Sequence, residues 1–164
     1  LLYYANEIDL VGLVQTSSFA HWAGSEEGAK IDAKYGEPYA WPGTDWQNEF
    51  IDAYAEIYPN LRVHDENYPT PNYLKSVVKI GNIGYTGDMD EATEGSEHIK
   101  NLILDDVPGP LYITAWGGMN TVGRVSGRKF MIKFVSICGT DRTERTLKGK
   151  TLSLTASVQN IIRS

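Results

Sequence analysis

Short apolar runs bounded by turn residues alternate with stretches of helical spacing along the first 121 residues of the chain. Residues 9–16 and 111–116 are near-continuous runs of strand-forming residues, and the second run follows the turn signal Pro108-Gly109-Pro110. Such runs are typical of strands buried on both faces, as the strands of parallel sheets are. The pattern therefore predicts two central strands of a sheet.

A helix between these strands is predicted from a capping signal. Thr44 and Gln47 have the spacing of a capping box, and Pro59 marks the expected end of the helix. The apolar face predicted from helical spacing consists of Trp46, Phe50, Tyr54 and Ile57.

Two further helices complete the alternation. Thr70-Pro71 places a proline at the first helical position, and this helix is expected to run to Gly81. Thr93 is expected to cap a third helix that buries Ile99 and Ile103. Strands that alternate with helices predict an α/β fold, here an open, mostly parallel sheet with flanking helices.

The charge balance changes after residue 121. Residues 122–164 contain nine Lys and Arg against two acidic residues, a balance of +7 in a chain of net charge −6, so residues 1–121 carry −13. The helical signal also fades there, and residues 130–137 and 151–158 alternate in strand fashion. The length fits one domain, 1–164, whose last part, 124–164, is a basic segment of different character.

Charge and hydropathy also exclude some partners. The basic residues are scattered rather than clustered with aromatic residues, and the acidic body would repel a phosphate backbone, so we interpret them as solvated surface and expect no nucleic-acid partner. No apolar stretch approaches the roughly 18 residues that cross a bilayer, so we expect no membrane partner.

The residues after the two strands predict a ligand site. Ligands of open α/β sheets bind outside the carboxyl ends of the strands, and Gly117-Gly118 lets the backbone approach a ligand closely. Ser18, Trp116 and Asn120 are therefore expected to contact substrate. Asn120 has an alternative role as the cap of a following helix, and Ser18 as a turn residue.

The long connection 17–43 offers a second kind of site. Its aromatic residues, among them Trp22 and Trp41 within 19–41, are the flat surfaces on which sugar rings pack. If these rings are exposed they form a carbohydrate platform, and if they are buried they anchor the loop to the body. Both interpretations remain open at the level of sequence.

Several motifs resemble one known family in their order and spacing. The segment Leu-Tyr-Tyr-Ala-Asn-Glu-Ile-Asp-Leu-Val-Gly-Leu-Val at 2–14, the Thr-Glu-Gly-Ser motif at 93–96 and the Trp-Gly-Gly-Met-Asn-Thr motif at 116–121 carry the resemblance. Over residues 1–123 the chain resembles the nucleoside-hydrolase-like, cellulose-binding-type family. The resemblance implies a nucleoside-hydrolase-like, Rossmann-like fold.

The resemblance also implies a chemistry. Nucleoside hydrolases bind Ca²⁺ and split N-glycosidic bonds, and their metal sits on aspartates of an acidic loop together with a backbone carbonyl at the position of Asn120. That loop would precede Leu1, so the fold is expected to be incomplete and to lack the main metal ligands. Glu94, in the Thr-Glu-Gly-Ser motif, and Asp141, in the place of a later acidic turn, are the implied catalytic residues.

Independently of the family, glycosidic hydrolysis needs carboxylates. Asp88, Asp90 and Glu91 are candidates, because they precede the third helix and lie close to Glu94 in the sequence. Acidic residues at this position also simply favour the helix dipole. Two functions follow as expectations. One is a metal-dependent hydrolase of a glycosidic or N-ribosyl-like bond, secreted or periplasmic by resemblance. The alternative is a non-catalytic carbohydrate-binding protein that uses the aromatic loop 19–41. Whether this chain alone is active stays open.

Overall fold

A computed structural model describes residues 1–18, 21–24, 43–115, 118–127, 144–147, 150–156 and 160–163. After a single 3-10 turn, Leu2–Tyr4, the elements in chain order are β1 Asp9–Gln15, α1 Trp46–His64, α2 Pro71–Ser76, β2 Val78–Ile80, α3 Glu94–Leu104, β3 Leu111–Ala115, α4 Asn120–Gly127, β4 Glu144–Leu147, β5 Lys150–Ala156 and β6 Asn160–Arg163. None of the helices in these segments is both long and apolar enough to cross a membrane.

The strands form one sheet in the order β2-β1-β6-β3-β5-β4. β1 pairs with β2, and β3 with β5, in parallel, whereas β6 runs antiparallel to both β1 and β3 and β4 runs antiparallel to β5. Four strands thus share one direction, and their carboxyl ends lie at one edge of the sheet. The α/β fold with flanking helices is confirmed, with β4 and β6 as its reversed strands.

A register shift in β1 places its apolar residues on the two faces of the sheet. The pairing with β6 shifts between Leu10 and Gly12, as in a β-bulge. Leu10 and Leu13, three residues apart, consequently face the same side, although strict alternation would separate them. Val14 faces the opposite side, where it packs with residues of α3 and α4. The sheet is therefore covered by α1 and α2 on one face and by α3 and α4 on the other.

The first long helix differs from its prediction at both ends. α1 begins at Trp46 with Asp45 as its N-cap, so Thr44 is not part of a capping box, and Pro59 lies inside the helix. A proline removes one backbone donor, and α1 continues past it for five residues. The inward stripe is Gln47, Ile51 and Tyr54, while Phe50 is 63% exposed and meets Trp46 edge to face. Of the predicted stripe, Tyr54 is buried, Trp46 and Ile57 are partly buried, and Phe50 is exposed, so the prediction was wrong at Phe50.

The second helix is shorter than predicted because a strand follows it. Pro71 is the first residue of α2, as expected, and Thr70 caps the helix through its side chain, but the helix ends at Ser76. Residues 78–80 instead pair with β1 in parallel, Val78 opposite Leu13, a tertiary pairing that overrides the helical spacing of the sequence.

The remaining elements agree more closely with the sequence. α3 has the predicted cap at Thr93, in a capping box with Ser96, and buries Ile99 and Ile103. Of the strands predicted after residue 122, 151–158 corresponds to β5, whereas 130–137 lies outside the described residues. The helical signal was expected to fade there, but α4 continues to Gly127.

Candidate functional site at the carboxyl edge of the sheet

Three segments meet at the carboxyl ends of β1, β2 and β3, and we call them the carboxyl edge: residues 16–18, 81–91 and 118–121. The N–H of Ser17 donates to the carbonyl of Asn82 over 3.0 Å. The N–H of Asn82 donates to the Thr121 hydroxyl over 2.8 Å, and that hydroxyl lies 3.1 Å from the hydroxyl of Thr16. The side chains that follow three separate strands therefore form one hydrogen-bonded unit.

Asn120 is the central residue of this unit. Its side-chain amide donates to the hydroxyl of Ser17 and, over 2.8 Å, to the carbonyl of Tyr85, while its amide oxygen accepts from the N–H of Gly87 over 3.0 Å. Asn120 is 7% exposed and is the first residue of α4 rather than the residue before it, so the structure does not give it the capping role. Its side chain joins three segments of the chain.

Glycines allow these segments to touch through their backbones. A Cβ atom at Gly118 would stand 2.0 Å from the carbonyl oxygen of Ser17, and one at Gly81 would stand 2.5 Å from that of Gln15. We predicted that Gly117-Gly118 allows close approach to a ligand. At Gly118 the close approach is to the end of β1, and Gly117 lies outside the described residues.

The second segment of the carboxyl edge, 81–91, carries three acidic residues. The Asp88 carboxylate accepts from the N–H of Gly84 over 3.0 Å, and the Asp90 carboxylate accepts from the Tyr85 hydroxyl over 2.7 Å. Glu91 takes part through its backbone carbonyl, which accepts from the side chain of Asn82 over 2.9 Å. The three acidic side chains are largely in solvent or held by the loop itself.

The described residues do not bring the two predicted catalytic carboxylates, Glu94 and Asp141, together. Glu94 lies in the first turn of α3, where its carboxylate forms an ion pair with Lys79 of β2 at 2.8 Å. Asp141 lies outside the described residues.

Ca²⁺ needs six to eight oxygen ligands, usually including carboxylates. Within residues 1–18, 43–115 and the shorter described segments, no three His, Cys, Asp or Glu side chains converge. These residues do not fit a calcium site by themselves.

The other predicted contact residues occupy different environments. The backbone of Ser18 pairs with that of His21, and its carbonyl accepts from the Thr86 hydroxyl over 3.0 Å. Trp22 is only 4% exposed and presents no open ring, so it anchors its segment to the body rather than forming a platform. Trp41 and Trp116 lie outside the described residues.

Two glutamines at the same end of β1 were missed in the sequence. Gln15 is 2% exposed and Gln47 is 9% exposed, and the side-chain oxygen of each has no hydrogen-bond partner among the residues that the structure describes. The sequence could have indicated both residues, because each is a polar residue at a position where the pattern predicts an apolar one. Gln15 is a polar residue at the end of a buried strand, and Gln47 occupies an inward position of α1.

No protein of curated function matches the chain. One similar solved structure is that of a nucleoside hydrolase-related hypothetical protein from Saccharophagus degradans that is associated with carbohydrate metabolism. It is 31% identical with a TM-score of 0.55, and the match covers 76% of this chain but only 27% of that protein. The sequence matches the family described as "Cellulose-binding Sde182, nucleoside hydrolase-like domain" over residues 1–126, which confirms the resemblance, and the chain belongs to this family.

Proposed function

We propose that the chain binds a carbohydrate at the carboxyl edge of the sheet. The observation that carries the proposal is the hydrogen-bonded unit around Asn120, which fixes the ends of three strands and the loop 81–91 in one arrangement. A site of fixed polar groups at the carboxyl ends of strands is the usual place for a small hydroxyl-rich ligand in an α/β sheet.

The comparisons support the class of ligand. The matched family is described as cellulose-binding, and the similar solved protein is associated with carbohydrate metabolism. A β-linked glucose oligomer is therefore the first ligand to test. Because such a polymer is found outside the cell, we propose a secreted or periplasmic location for this protein.

Hydrolysis of a glycosidic or N-ribosyl-like bond is the second candidate. It is favoured by the pairing of the Asp90 carboxylate with the Tyr85 hydroxyl at 2.7 Å, on the loop that Asn120 holds. Glycoside cleavage needs a carboxylate and a group that protonates the departing oxygen, and Glu94 and Asp141 are the other carboxylates proposed for it. Ca²⁺ bound in part by the backbone carbonyl of Asn120 is proposed with this candidate.

Calorimetric titration distinguishes the two candidates. Cellotetraose is titrated into the chain with EDTA present and again with Ca²⁺, and inosine is titrated under the same two conditions. Saturable heat with cellotetraose in EDTA, without release of reducing sugar, supports carbohydrate binding. Release of reducing sugar or of base only in Ca²⁺ supports the hydrolase. No heat and no product in any arm rejects both.

A further inference from the structure

The contact between α1 and β1 is apolar over most of its length and ends in two glutamines. Leu10 and Leu13 of β1 pack with Ile51 and Tyr54 of α1 in one core cluster. Gln15 lies two residues after Leu13 and so continues the same face of the strand. Gln47 lies one turn before Ile51 and continues the inward stripe of α1. Both rows thus change from apolar to polar at the carboxyl end of β1.

The two side chains lie close to one backbone segment. The Gln15 amide nitrogen donates to the carbonyl of Thr44, two residues before α1 begins. This bond fixes the orientation of the amide and leaves its Oε1 as an acceptor without a donor among the described residues. The Oε1 of Gln47 likewise has no donor among the described residues, and Gln47 is three residues from Thr44. Two buried acceptors therefore flank the start of α1.

The start of α1 adds donors to these acceptors. The N-cap residue Asp45 makes no capping hydrogen bond through its side chain. The first N–H groups of a helix have no acceptor within the helix, so α1 presents donors here as well. Thr44 and Asp45, which precede α1, are exposed.

Buried polar atoms of folded proteins are almost always hydrogen-bonded, because an unmet acceptor costs stability. Two such acceptors near the start of α1 suit a ligand that brings donors. We infer that Gln15 and Gln47 accept hydrogen bonds from the hydroxyl groups of the bound carbohydrate, whose own oxygens accept from the first turn of α1. This inference rests on the proposed carbohydrate binding and places the sugar on the α1 side of β1.

The combination of groups selects among ligand classes. Phosphate and carboxylate groups bring only acceptors and leave the glutamine oxygens unmet. A metal cation satisfies the oxygens but is disfavoured by the partial positive charge at the start of a helix. A sugar hydroxyl donates and accepts at once and satisfies both sets.

The test uses Gln15→Met and Gln47→Met, which keep the length of the side chain and remove the acceptor. Each variant is expected to weaken cellotetraose binding at least tenfold in calorimetric titration. Gln47→Met is also expected to raise the melting temperature of the free protein by about 3 °C, because an unmet buried group is removed. Glu49→Met, an exposed position two residues further along the same helix, is the control and is expected to leave affinity unchanged.

The outcomes separate this inference from the proposed function. If the wild-type protein binds cellotetraose and both glutamine variants bind it equally well, the inference is overturned and carbohydrate binding stands. A lower melting temperature for Gln47→Met would mean that its oxygen serves folding, which also overturns the inference. If the wild-type protein binds none of the sugar, the proposed function fails and the inference with it. Loss of Ca²⁺ binding in the variants, in place of sugar binding, would reassign the oxygens to a cation.

Discussion

The side-chain amide of Asn120 donates to the hydroxyl of Ser17, a residue 103 positions earlier in the chain. The bond joins the end of β1 to the start of α4, and the same amide reaches the carbonyl of Tyr85 in the loop after β2. Asn120 therefore holds the carboxyl edge through its side chain.

Asn120→Asp tests this role. The carboxylate keeps the shape and the acceptor for the N–H of Gly87 but loses the two donors to Ser17 and Tyr85 and buries a charge. We expect a loss of about 3 kcal/mol in the free energy of unfolding, measured by urea titration, together with loss of cellotetraose binding. Met119→Ala, at an exposed neighbouring position, serves as the control and should unfold like the wild-type protein. Equal stability of Asn120→Asp would contradict the role.

Gly118→Ala tests the direct contact between the two backbones. The added Cβ would stand 2.0 Å from the Ser17 carbonyl oxygen, and because this neighbour is backbone the chain must move. We expect a loss of about 2–3 kcal/mol in urea unfolding.

Gly123→Ala is the matched control for this substitution. Gly123 is inside α4, and the nearest atom to its added Cβ is the sulfur at the flexible end of Met89. Alanine has a higher helix propensity than glycine, so we expect the free energy of unfolding to stay the same or to rise by up to about 1 kcal/mol. If both alanines behave alike, the close approach at Gly118 is not what limits that position.

Thr93→Ala tests the link between α3 and the carboxyl edge. The Thr93 hydroxyl accepts from the N–H of Ser96 as the helix cap and also donates to the side chain of Asn82 over 3.3 Å. Thr70→Ala removes a cap of the same kind from α2, and its capping partner is the N–H of Tyr73. By urea titration, we expect Thr70→Ala to lower the free energy of unfolding by about 1 kcal/mol and Thr93→Ala to lower it by about 2 kcal/mol. Equal losses would show that the bond to Asn82 adds nothing.

The elements that were predicted correctly are those whose signals are local. The cap at Thr93 and the proline at the first position of α2 act within one turn of helix, and the buried runs of β1 and β3 are continuous in the sequence. Such features are fixed by neighbouring residues and can be read without a partner strand.

The features that were missed depend on residues far apart in the chain. β2 is a three-residue strand that exists because β1 lies beside it, and the bulge at Leu10 to Gly12 comes from pairing with β6. The inward face of α1 is likewise set by the cluster around Leu10 and Leu13, which selects Gln47 and Ile51 over Trp46 and Phe50.

The candidate site was predicted in position but not in detail. Placing Asn120 and Ser18 at the carboxyl ends of strands needs only the strand order of an α/β sheet. That the Asn120 side chain is occupied by Ser17, Tyr85 and Gly87 depends on how three loops meet, which local sequence does not encode.

Tyr54 predicts how stability depends on alkaline pH. Burial first, and then the neighbouring phenols of Tyr58 and Tyr68, raises the pKa of Tyr54 from 10.0 to about 12. Its hydroxyl donates to the carbonyl of Pro69 over 2.8 Å, an interaction that only the protonated form makes. Between pH 10 and 12 the folded protein keeps this proton while the unfolded chain releases it, so the stability present below pH 10 declines as the pH rises through about 12.

Tyr54→Phe should flatten this decline. At pH 8 the variant is expected to be less stable by about 1 kcal/mol, because the hydrogen bond to Pro69 is lost. From pH 9.5 to 11.5 its urea midpoint should fall less steeply than that of the wild-type protein, since the buried ionisable group is gone. Tyr3→Phe removes an exposed phenol, and its urea midpoint is expected to fall as steeply with pH as that of the wild-type protein. An unchanged slope in Tyr54→Phe would mean that the buried phenol does not govern alkaline unfolding, and that the packing of α1 on β1 tolerates its ionisation.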